Sequence, residues 1–402
     1  MAKDVLLKIF RSESPAVLAT LVQMSGDLDQ AEDALQEAMT IATEKWSEDG
    51  VPVNPAGWIM TTARRRLIDS HRRSSNGRDK ERFVGYTEEF EPEFLDESRL
   101  VLLFTCCHPA LSLETRVALT LRTICGLTTE EVAQAFVVQN TTMAQRLVRA
   151  KSKIRDAKIR YEKPDPDHWE PRLAAVLATV YLTFNQGYDL GSDSRGLDLA
   201  ETAVELGRLL NVLIPAEPEI EGLLALMLFS HARRRARQAG DGMVLLETQE
   251  RALWDDAMLD EAVELLTQAV SHGSVGQYWL QAAIAAEHVT PADFESRDWS
   301  RIVVLYDKLL SQTRNSPVVQ LNRALAIAHS VDAAAGLAEV ETLSERLGGY
   351  LPFHAARGHL LAQVGDFSGA AHAYDDAMAL SANDQQRQSL SRALQKIEEL
   401  AR

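Results

Sequence analysis

The chain has few of the features that mark secreted or membrane proteins. Its 402 residues include three cysteines, Cys106, Cys107 and Cys125, which are too few and too unevenly spaced for a disulfide framework. The sequence contains no run of about 18 apolar residues, and the N-terminus around Lys3 lacks the layout of a signal peptide. We therefore expect a soluble cytoplasmic protein with no membrane partner.

Signs of metal or catalytic chemistry are also scarce. Cys106, Cys107 and His108 are adjacent, whereas zinc ligands usually follow a Cys-x-x-Cys spacing, so we interpret the cysteines as buried thiols and expect no metal. The chain has no glycine-rich phosphate loop, and its polar clusters lack a recognisable catalytic spacing. The sequence predicts no cofactor, no catalytic residue and no enzyme.

Charge is abundant but unevenly distributed. The chain has 42 basic and 58 acidic residues, a formal net charge of −16. Residues 1–163 contain 23 basic and 24 acidic residues, so the remainder carries a net charge of −15. An acidic surface repels phosphates. We therefore expect the first part to bind nucleic acid and the second part to bind protein.

The stretch from Gly126 to Arg155 predicts two helices joined by a tight turn. Thr128 and Glu131 can form a capping box, which starts a short helix that buries Val132, Ala133 and Phe136. Asn140 is a good N-cap for the second helix. Apolar residues recur along that helix at spacings of four, three and four, at Met143, Leu147, Ala150 and Ile154.

The opposite face of this second helix is polar and basic. Between Arg146 and Lys163, eight basic residues stand against two acidic ones, a local net charge of +6. The pattern is typical of a helix-turn-helix, whose second helix enters the DNA major groove. A solvated basic face on an ordinary amphipathic helix is the alternative. Amide and guanidinium groups pair with base edges, which favours Gln145, Arg146 and Arg149 as base readers.

The first 75 residues predict three helices. The first runs through Val17 and Leu21, and the second, from about Asp29 to Trp46, has a polar face with Asp33, Gln36 and Glu37. The third is capped by Asn54, has Pro55 at its first position and runs from Ala56 to about Asp69. Cations lie at its end and in the following loop, Ser70 to Gly77, and could hold the backbone of an opened DNA strand. They are Arg64, Arg65, Arg66, His71, Arg72 and Arg73.

Three segments together resemble the bacterial sigma-70 family. They are Ala31 to Ala38, Asn54 to Asp69 and the helix-turn-helix, and their order and spacing are similar to those of extracytoplasmic-function sigma factors. The resemblance covers about residues 5–160. It implies that RNA polymerase core, through the β′ clamp helices and the β flap, and promoter DNA are the partners. The turn Val137 to Asn140 departs from the family, because it lacks the Gly and Pro often found there.

The resemblance also implies roles for individual residues. Asp33, Gln36 and Glu37 would contact the clamp helices. The −35 element would be bound by Thr142, Gln145, Arg146, Arg149 and Lys153. The −10 element would be opened and bound by Arg64, Arg65, Arg66, Ser70, Arg72 and Arg73.

The rest of the chain predicts a linker and a long helical extension, so the fold class is all-α. Acidic residues crowd between Glu88 and Glu97, a composition typical of a flexible tether. Helical periodicity follows the boundary at Pro164, and the segment from Gly358 has the small and large alternation of a tetratricopeptide repeat, whose groove suits a protein or peptide partner. The predicted segments are region 2 (1–75), linker (76–100), region 4 (101–163), helical domain (164–295) and tetratricopeptide-like repeats (296–402).

The sequence thus predicts an extracytoplasmic-function sigma factor whose C-terminal extension regulates promoter recognition and transcription initiation. One alternative is a helix-turn-helix repressor or activator fused to a repeat scaffold. Another is a tetratricopeptide adaptor with a docking N-terminal half. The acidic face at Asp33, Gln36 and Glu37 favours the first interpretation, since a repressor needs no polymerase-binding helix.

Overall fold

The computed structural model describes residues 2–74, 92–190, 198–237, 244, 246–381 and 384–400. All regular secondary structure in these ranges is helical, which confirms the all-α prediction. The chain divides into two compact units, Met1–Pro215 and Ala216–Arg402. In the described ranges, no helix has the length and apolarity needed to cross a bilayer.

Nine helices are described in the first unit. They are α1 (Ala2–Ser25), α2 (Leu28–Asp49), α3 (Pro55–Ser74), α4 (Pro92–Cys106), α5 (Leu113–Thr123), α6 (Thr129–Ala135), α7 (Asn140–Asp156), α8 (Pro166–Leu190) and α9 (Leu199–Leu213).

Helices α1, α2 and α3 pack on one another around small side chains. Ala31, Ala34 and Ala38 follow one face of α2 and are buried, and their small size lets neighbouring helices approach closely. The side chain of Asp27 caps α2 by accepting hydrogen bonds from the amides of Asp29 and Gln30. The bundle therefore fixes which face of α2 points to solvent.

Helix α3 begins as predicted but ends later. The Asn54 side chain accepts a hydrogen bond from the Gly57 amide at 2.9 Å, and Pro55 is the first helical residue. The helix continues to Ser74, so Ser70, Arg72 and Arg73 are helical and the prediction of a loop from Ser70 was wrong. The sequence has no Gly or Pro between Gly57 and Gly77 to end it earlier.

The predicted linker is shorter than expected. Helix α4 starts at Pro92 and packs against α1, where the Ser98 hydroxyl donates a hydrogen bond to Gln23 Oε1. Residues 92–100 are helical, and Ser98 and Leu100 are buried, so the end of the predicted linker belongs to α4 and not to a tether. The run Leu100-Val101-Leu102-Leu103 explains this, because its burial outweighs the acidic residues before it. Residues 76–91 of the predicted linker lie outside the described ranges.

The helix-turn-helix has the predicted capping box. The Thr128 hydroxyl accepts a hydrogen bond from the Glu131 amide at 3.1 Å, and the Glu131 carboxylate accepts one from the Thr128 amide at 2.7 Å. Helix α7 begins at Asn140, so its N-cap is Gln139 and the prediction of Asn140 was off by one residue. The chain turns into α7 early because Val137 is left-handed, with φ +52°.

Burial along the two helices follows the predicted apolar positions with one difference. Phe136, predicted to be buried, is only half-buried at the end of α6, while Val132 and Ala133 are buried. The residues that form the predicted apolar stripe of α7 are all buried: Met143, Leu147, Ala150 and Ile154.

The cysteines at the end of α4 are buried as predicted. The thiols of Cys106 and Cys107 lie 3.1 and 3.4 Å from the hydroxyls of Thr123 and Thr120. Burial raises the pKa of Cys107, which keeps the thiol protonated and unreactive. The Nδ1 atom of His108 accepts a hydrogen bond from the Ala110 amide at 3.1 Å, so this atom already has a partner.

Helices α8 and α9 belong to the first compact unit, although the sequence placed them after the boundary at residue 163. Trp169 packs its ring 5.2 Å from that of the fully buried Phe104, and Arg172 donates a hydrogen bond to the Phe104 carbonyl at 2.7 Å. Helix α8 also contacts α5, and α9 contacts α4. The start of the extension is thus part of the core around α4 and α5.

Eleven α-helices are described in the second unit. They are α10 (Pro218–His231), α11 (Arg234–Arg237), α12 (Asp256–His272), α13 (Gln277–Val289), α14 (Trp299–Gln312), α15 (Pro317–Ser330), α16 (Ala333–Glu341), α17 (Ser344–Leu347), α18 (Leu351–Gln363), α19 (Phe367–Ala379) and α20 (Asp384–Leu400), with short 3₁₀ helices at Leu246–Thr248 and Arg251–Leu253.

The second unit is built on α10, which is buried along most of its length. At Gly222 a Cβ atom would lie 2.5 Å from the backbone nitrogen of Trp279, so glycine allows α10 and α13 to touch. The Glu219 carboxylate accepts hydrogen bonds from the amides of Gly276, Tyr278 and Trp279 and caps α13. From α13 onward, helices that are close in the chain pack on one another, as α14 does on α15 and α18 on α19.

The predicted repeat-like helices are present near the C-terminus. Helices α14 and α15 pack together, as do α18 and α19. At Gly358 a Cβ atom would lie 3.1 Å from the Tyr374 ring and 3.3 Å from the Ala370 carbonyl, so the small and large residues of this pair meet as the pattern predicted. Stacked pairs of this kind are the structural unit of helical repeat proteins.

The left-handed Val137 supplies a stability test. A β-branched residue in this conformation costs about 1–2 kcal/mol, and at 81% exposure its side chain contributes little burial. We expect Val137→Gly to raise the free energy of unfolding by about 1 kcal/mol in urea denaturation, after the backbone entropy of glycine is counted. Val138→Gly is the control and should lower it, since Val138 is not left-handed. An equal decrease in the free energy of unfolding for both variants would show that the backbone at Val137 is not strained.

Candidate functional site

The exposed face of α7 presents most of the side chains predicted to bind DNA. Gln145, Arg149 and Lys153 recur every four residues and are exposed, and Thr142 lies one turn before Gln145. Within the described part of the chain, the side chains of Gln145, Arg149 and Lys153 form no hydrogen bond or ion pair. This stripe can therefore reach a groove without first breaking a contact. Its role in base reading remains a prediction.

Arg146 differs from the other predicted DNA-binding residues of α7. Its guanidinium lies 3.8 Å from the Glu114 carboxylate on α5, and its side chain is 41% exposed. An exposed ion pair of this length contributes little, about 0–1 kcal/mol. Arg146 would have to leave Glu114 to contact DNA, which makes Arg149 the better candidate for a base contact.

The other basic residues of α7 face α2. The Lys151 ammonium lies 2.6 Å from the Glu32 carboxylate and 3.1 Å from that of Asp29, and Arg155 lies 3.3 Å from Asp29. The Lys151 side chain is only 14% exposed. These contacts join the helix-turn-helix to the first three helices, and we call the four residues the α2–α7 ion-pair network.

The carboxylates of the network favour the charged form of Lys151. Burial disfavours the ammonium, but the charges and hydrogen bonds of Glu32 and Asp29 outweigh it, so the pKa of Lys151 is raised above its usual 10.5. A raised lysine pKa stabilises the folded state fully below the unfolded-state value, and the contribution is lost only as pH rises through the folded-state pKa. The stability that the network contributes should therefore not change with pH near neutrality, but it should fall as the salt concentration rises.

Sequence reasoning missed this network. Asp29 and Glu32 are three residues apart on α2, and Lys151 and Arg155 are four apart on α7, so each pair lies on one helix face. That complementary spacing was the available signal. Many acidic and basic pairs in this chain share it, and only the packing of the helices selects these two.

A cleft of about 400 Å³ lies beside the network. It is bounded by the start of α2, the last turns of α7 and the residues that follow α7. Among its lining residues are Gln23, Asp29, Lys151, Arg155 and Tyr161. The cleft shows that α2 and α7 are joined at one edge by side-chain charges and are not packed along their lengths.

The predicted polymerase-binding face of α2 lies next to the network and is open. Asp33, Gln36 and Glu37 are exposed, and Glu37 lies 3.7 Å from Arg66 on α3. Ala34 and Leu35 turn inward between them, as predicted from the amphipathic pattern. The structure thus presents an acidic surface there, and its partner remains a prediction.

The predicted −10 residues are distributed along the second half of α3. Arg65, Arg66 and Ser70 are exposed and Arg64 is half-buried. The side chains of Arg72 and Arg73 lie outside the described residues, although their backbone is helical. Trp58 is half-buried with its ring 5.3 Å from that of Trp46, so it packs α3 against α2.

The α2–α7 ion-pair network leads to a prediction about coupling. Lys151→Glu and Glu32→Lys should each destabilise the first unit, and the double variant should recover part of the loss, with a coupling energy of about 0.5–3 kcal/mol. Urea denaturation at low and high salt measures this. Lys153→Glu, an exposed change on the same helix, should show no coupling to Glu32→Lys. Additive effects of Lys151→Glu and Glu32→Lys would disprove the pairing.

Comparison with protein families agrees with this arrangement. Residues 9–77 match sigma-70 region 2, and residues 102–154 match sigma-70 region 4. Residues 172–270 match a family of unknown function, DUF6596. The first two matches coincide with helices α1 to α3 and with the segment from α4 to α7.

One relative is similar over most of the chain. The chain is 40% identical over 385 residues to an uncharacterized protein of Rhizobium meliloti, and the match covers 92% of this chain and 91% of that protein. Sigma regions 2 and 4 imply that RNA polymerase core and promoter DNA are the partners. The chain belongs to the sigma-70 family, as an extracytoplasmic-function-like sigma factor with a C-terminal extension.

Proposed function

We propose that this sigma factor binds polymerase through the acidic face of α2, binds the −35 element through α7 and the −10 element through α3, and is regulated by its extension. The observation that carries the proposal is the exposed stripe of Gln145, Arg149 and Lys153 in a chain of net charge −16. Such a stripe can approach DNA although the chain as a whole repels it.

We further propose that the α2–α7 ion-pair network holds a closed, free form of the protein. The names of the −35 and −10 elements place them 25 base pairs apart, or about 85 Å along B-DNA. Helices α2 and α7 are each roughly 25–33 Å long and touch through Lys151 and Glu32. The two regions must therefore separate for both elements to be bound, which requires that both the ion pairs and the packing of α1 against α4 be lost.

The proposed regulatory role of the extension is supported by its first two helices. Helices α8 and α9 pack in the same unit as region 4 and cover Phe104, so this part of the extension cannot be removed without exposing that core. The relative is similar across the extension as well as the sigma regions. Both observations favour an extension that acts together with the sigma regions.

The DNA contacts can be tested on α7. Arg149→Ala should cost about 1–3 kcal/mol in binding at one −35 position and relax specificity there, because a bidentate base contact is lost. Lys153→Ala should weaken binding evenly across sequences and lower the salt slope by about one. Fluorescence anisotropy on matched and single-mismatch duplexes separates the two. If Arg149→Ala lost the same affinity for matched and mismatched duplexes, Arg149 would contact only the DNA backbone.

The polymerase contact can be tested on α2. Replacing Asp33 and Glu37 by Lys should abolish pull-down of core polymerase without unfolding the protein, since exposed changes usually shift stability by less than about 0.5 kcal/mol. Glu44→Lys with Glu48→Lys is the matched control, because both residues are exposed near the other end of α2. Core binding that survives in the folded Asp33 and Glu37 variant would place the polymerase interface elsewhere.

The regulatory proposal can be tested by shortening the chain at the boundary of the first unit. Residues 1–215 should fold, whereas residues 1–163 should be destabilised because Phe104 loses Trp169 and Arg172. Run-off transcription should differ markedly between the full-length protein and residues 1–215 at equal concentrations. Equal yields on one promoter across a range of salt would show that the second unit plays no part in initiation.

A further inference from the structure

The second unit contains a cluster of arginines and aromatic rings that the sigma function does not use. Its members come from the 3₁₀ helix at Arg251–Leu253, the turn before α14 and the start of α14. We call it the arginine–aromatic cluster, and it consists of Arg251, Trp254, Phe294, Arg297 and Trp299.

The cluster is held by contacts between rings and guanidinium groups. Arg251 lies over the Trp254 ring at 4.6 Å and donates a hydrogen bond to the Pro291 carbonyl. Arg297 lies over the Phe294 ring at 4.5 Å, and Phe294 lies 5.3 Å from Trp299. The Pro291 contact joins the two halves, and each guanidinium group lies over an aromatic ring.

Arg297 is buried without a counter-ion. It is 8% exposed, and among the described residues no carboxylate lies within ion-pair distance of its guanidinium and its Nε atom has no hydrogen-bond partner. Other arginines of this unit are paired, such as Arg323 with Asp307 at 2.6 Å and Arg357 with Glu341 at 2.7 Å. A buried, unpaired cation is costly, and such groups are normally satisfied.

A second nitrogen of the cluster and one of the neighbouring His288 also lack a hydrogen-bond partner among the described residues. The indole Nε1 of Trp254, a residue only 9% exposed, and Nδ1 of His288 are buried with no hydrogen-bond partner in the described structure. Trp254 Nε1 and Arg297 Nε can only donate hydrogen bonds. The missing partner is therefore an acceptor, and the arginines require it to be negatively charged.

The protein's own acidic residues do not fill this role. Burial lowers the pKa of Arg297; Glu247 opposes this shift, whereas Arg251 and Arg233 add to it. Glu247 is exposed and forms no ion pair with Arg297 in the described part of the chain. The exposed carboxylate of Asp293 accepts a hydrogen bond from the Ser296 amide at 2.8 Å and so is engaged in its own turn.

We propose that the arginine–aromatic cluster binds an oxyanion, the phosphate or carboxylate group of a small molecule, between Arg297, Arg251 and the indole of Trp254. A guanidinium suits this role because its planar donors match both groups in a bidentate manner. The aromatic rings exclude water and strengthen the electrostatic attraction. This site goes beyond the proposed function, because anion binding requires neither polymerase nor DNA.

The test is titration of the full-length protein with inorganic phosphate and, separately, with sodium acetate, at constant ionic strength set by chloride. Isothermal titration calorimetry and thermal unfolding should show saturable binding of at least one probe. The probe that binds distinguishes a phosphate site from a carboxylate site. Saturable binding of neither probe would overturn the proposal.

Substitutions at Arg297 test whether the anion binds at this cluster. Arg297→Gln should weaken the affinity at least tenfold, whereas the matched control Arg323→Gln, which removes an arginine already paired with Asp307, should leave it unchanged. Without anion, Arg297→Gln should change the melting temperature little, because relief of the unpaired buried charge offsets the lost contact with the Phe294 ring. Arg297→Lys gives a second variant that keeps the charge but loses the Nε donor, and it should also bind more weakly. Unchanged affinity in both Arg297 variants, or a large fall in the melting temperature of both, would overturn the proposal.

Discussion

The contact of Lys151 with Glu32 and Asp29 fixes how α7 lies against α2 in this protein. It joins the recognition helix to the helix predicted to bind polymerase, at distances of 2.6 and 3.1 Å. The bonds are electrostatic and lie beside an open cleft. Regions 2 and 4 also meet where α1 packs against α4, so the ion pairs fix the position of α7 against α2 and are not the only contact between the regions.

The beginning of the extension depends on a different kind of interaction. Trp169 and Arg172 cover Phe104 by ring packing and a hydrogen bond to its carbonyl, and these contacts are insensitive to salt. The first unit therefore contains two kinds of contact. Salt can weaken the ion pairs between α2 and α7, but it does not weaken the packing of α8 on α4. This difference would allow region 4 to move away from region 2 while it keeps α8 and α9.

Local features of the fold could be predicted from the sequence, whereas contacts between distant segments could not. The capping box of Thr128 and Glu131 and the buried stripe of α7 depend on residues a few positions apart. The N-cap of α7 was missed because Val137 adopts an unusual backbone conformation. The partners of Lys151 lie more than 100 residues away, and the lack of a counter-ion at Arg297 depends on side chains from separate helices. The exposed stripe of α7 could be predicted from the helical spacing of its apolar residues, but the pairing of Arg146 with Glu114 could not.

The most direct test of this account is the distance between regions 2 and 4 in solution. Cysteines introduced at the exposed positions Ser47 on α2 and Val148 on α7 can carry a dye pair, provided that the half-buried Cys125 is replaced by Ser; Cys106 and Cys107 are buried. Energy transfer should be high in the free protein, lower in the Lys151→Glu variant, and lost when core polymerase and promoter DNA are added. High transfer that persists in the promoter complex would contradict the proposal that the ion-pair network opens for promoter recognition.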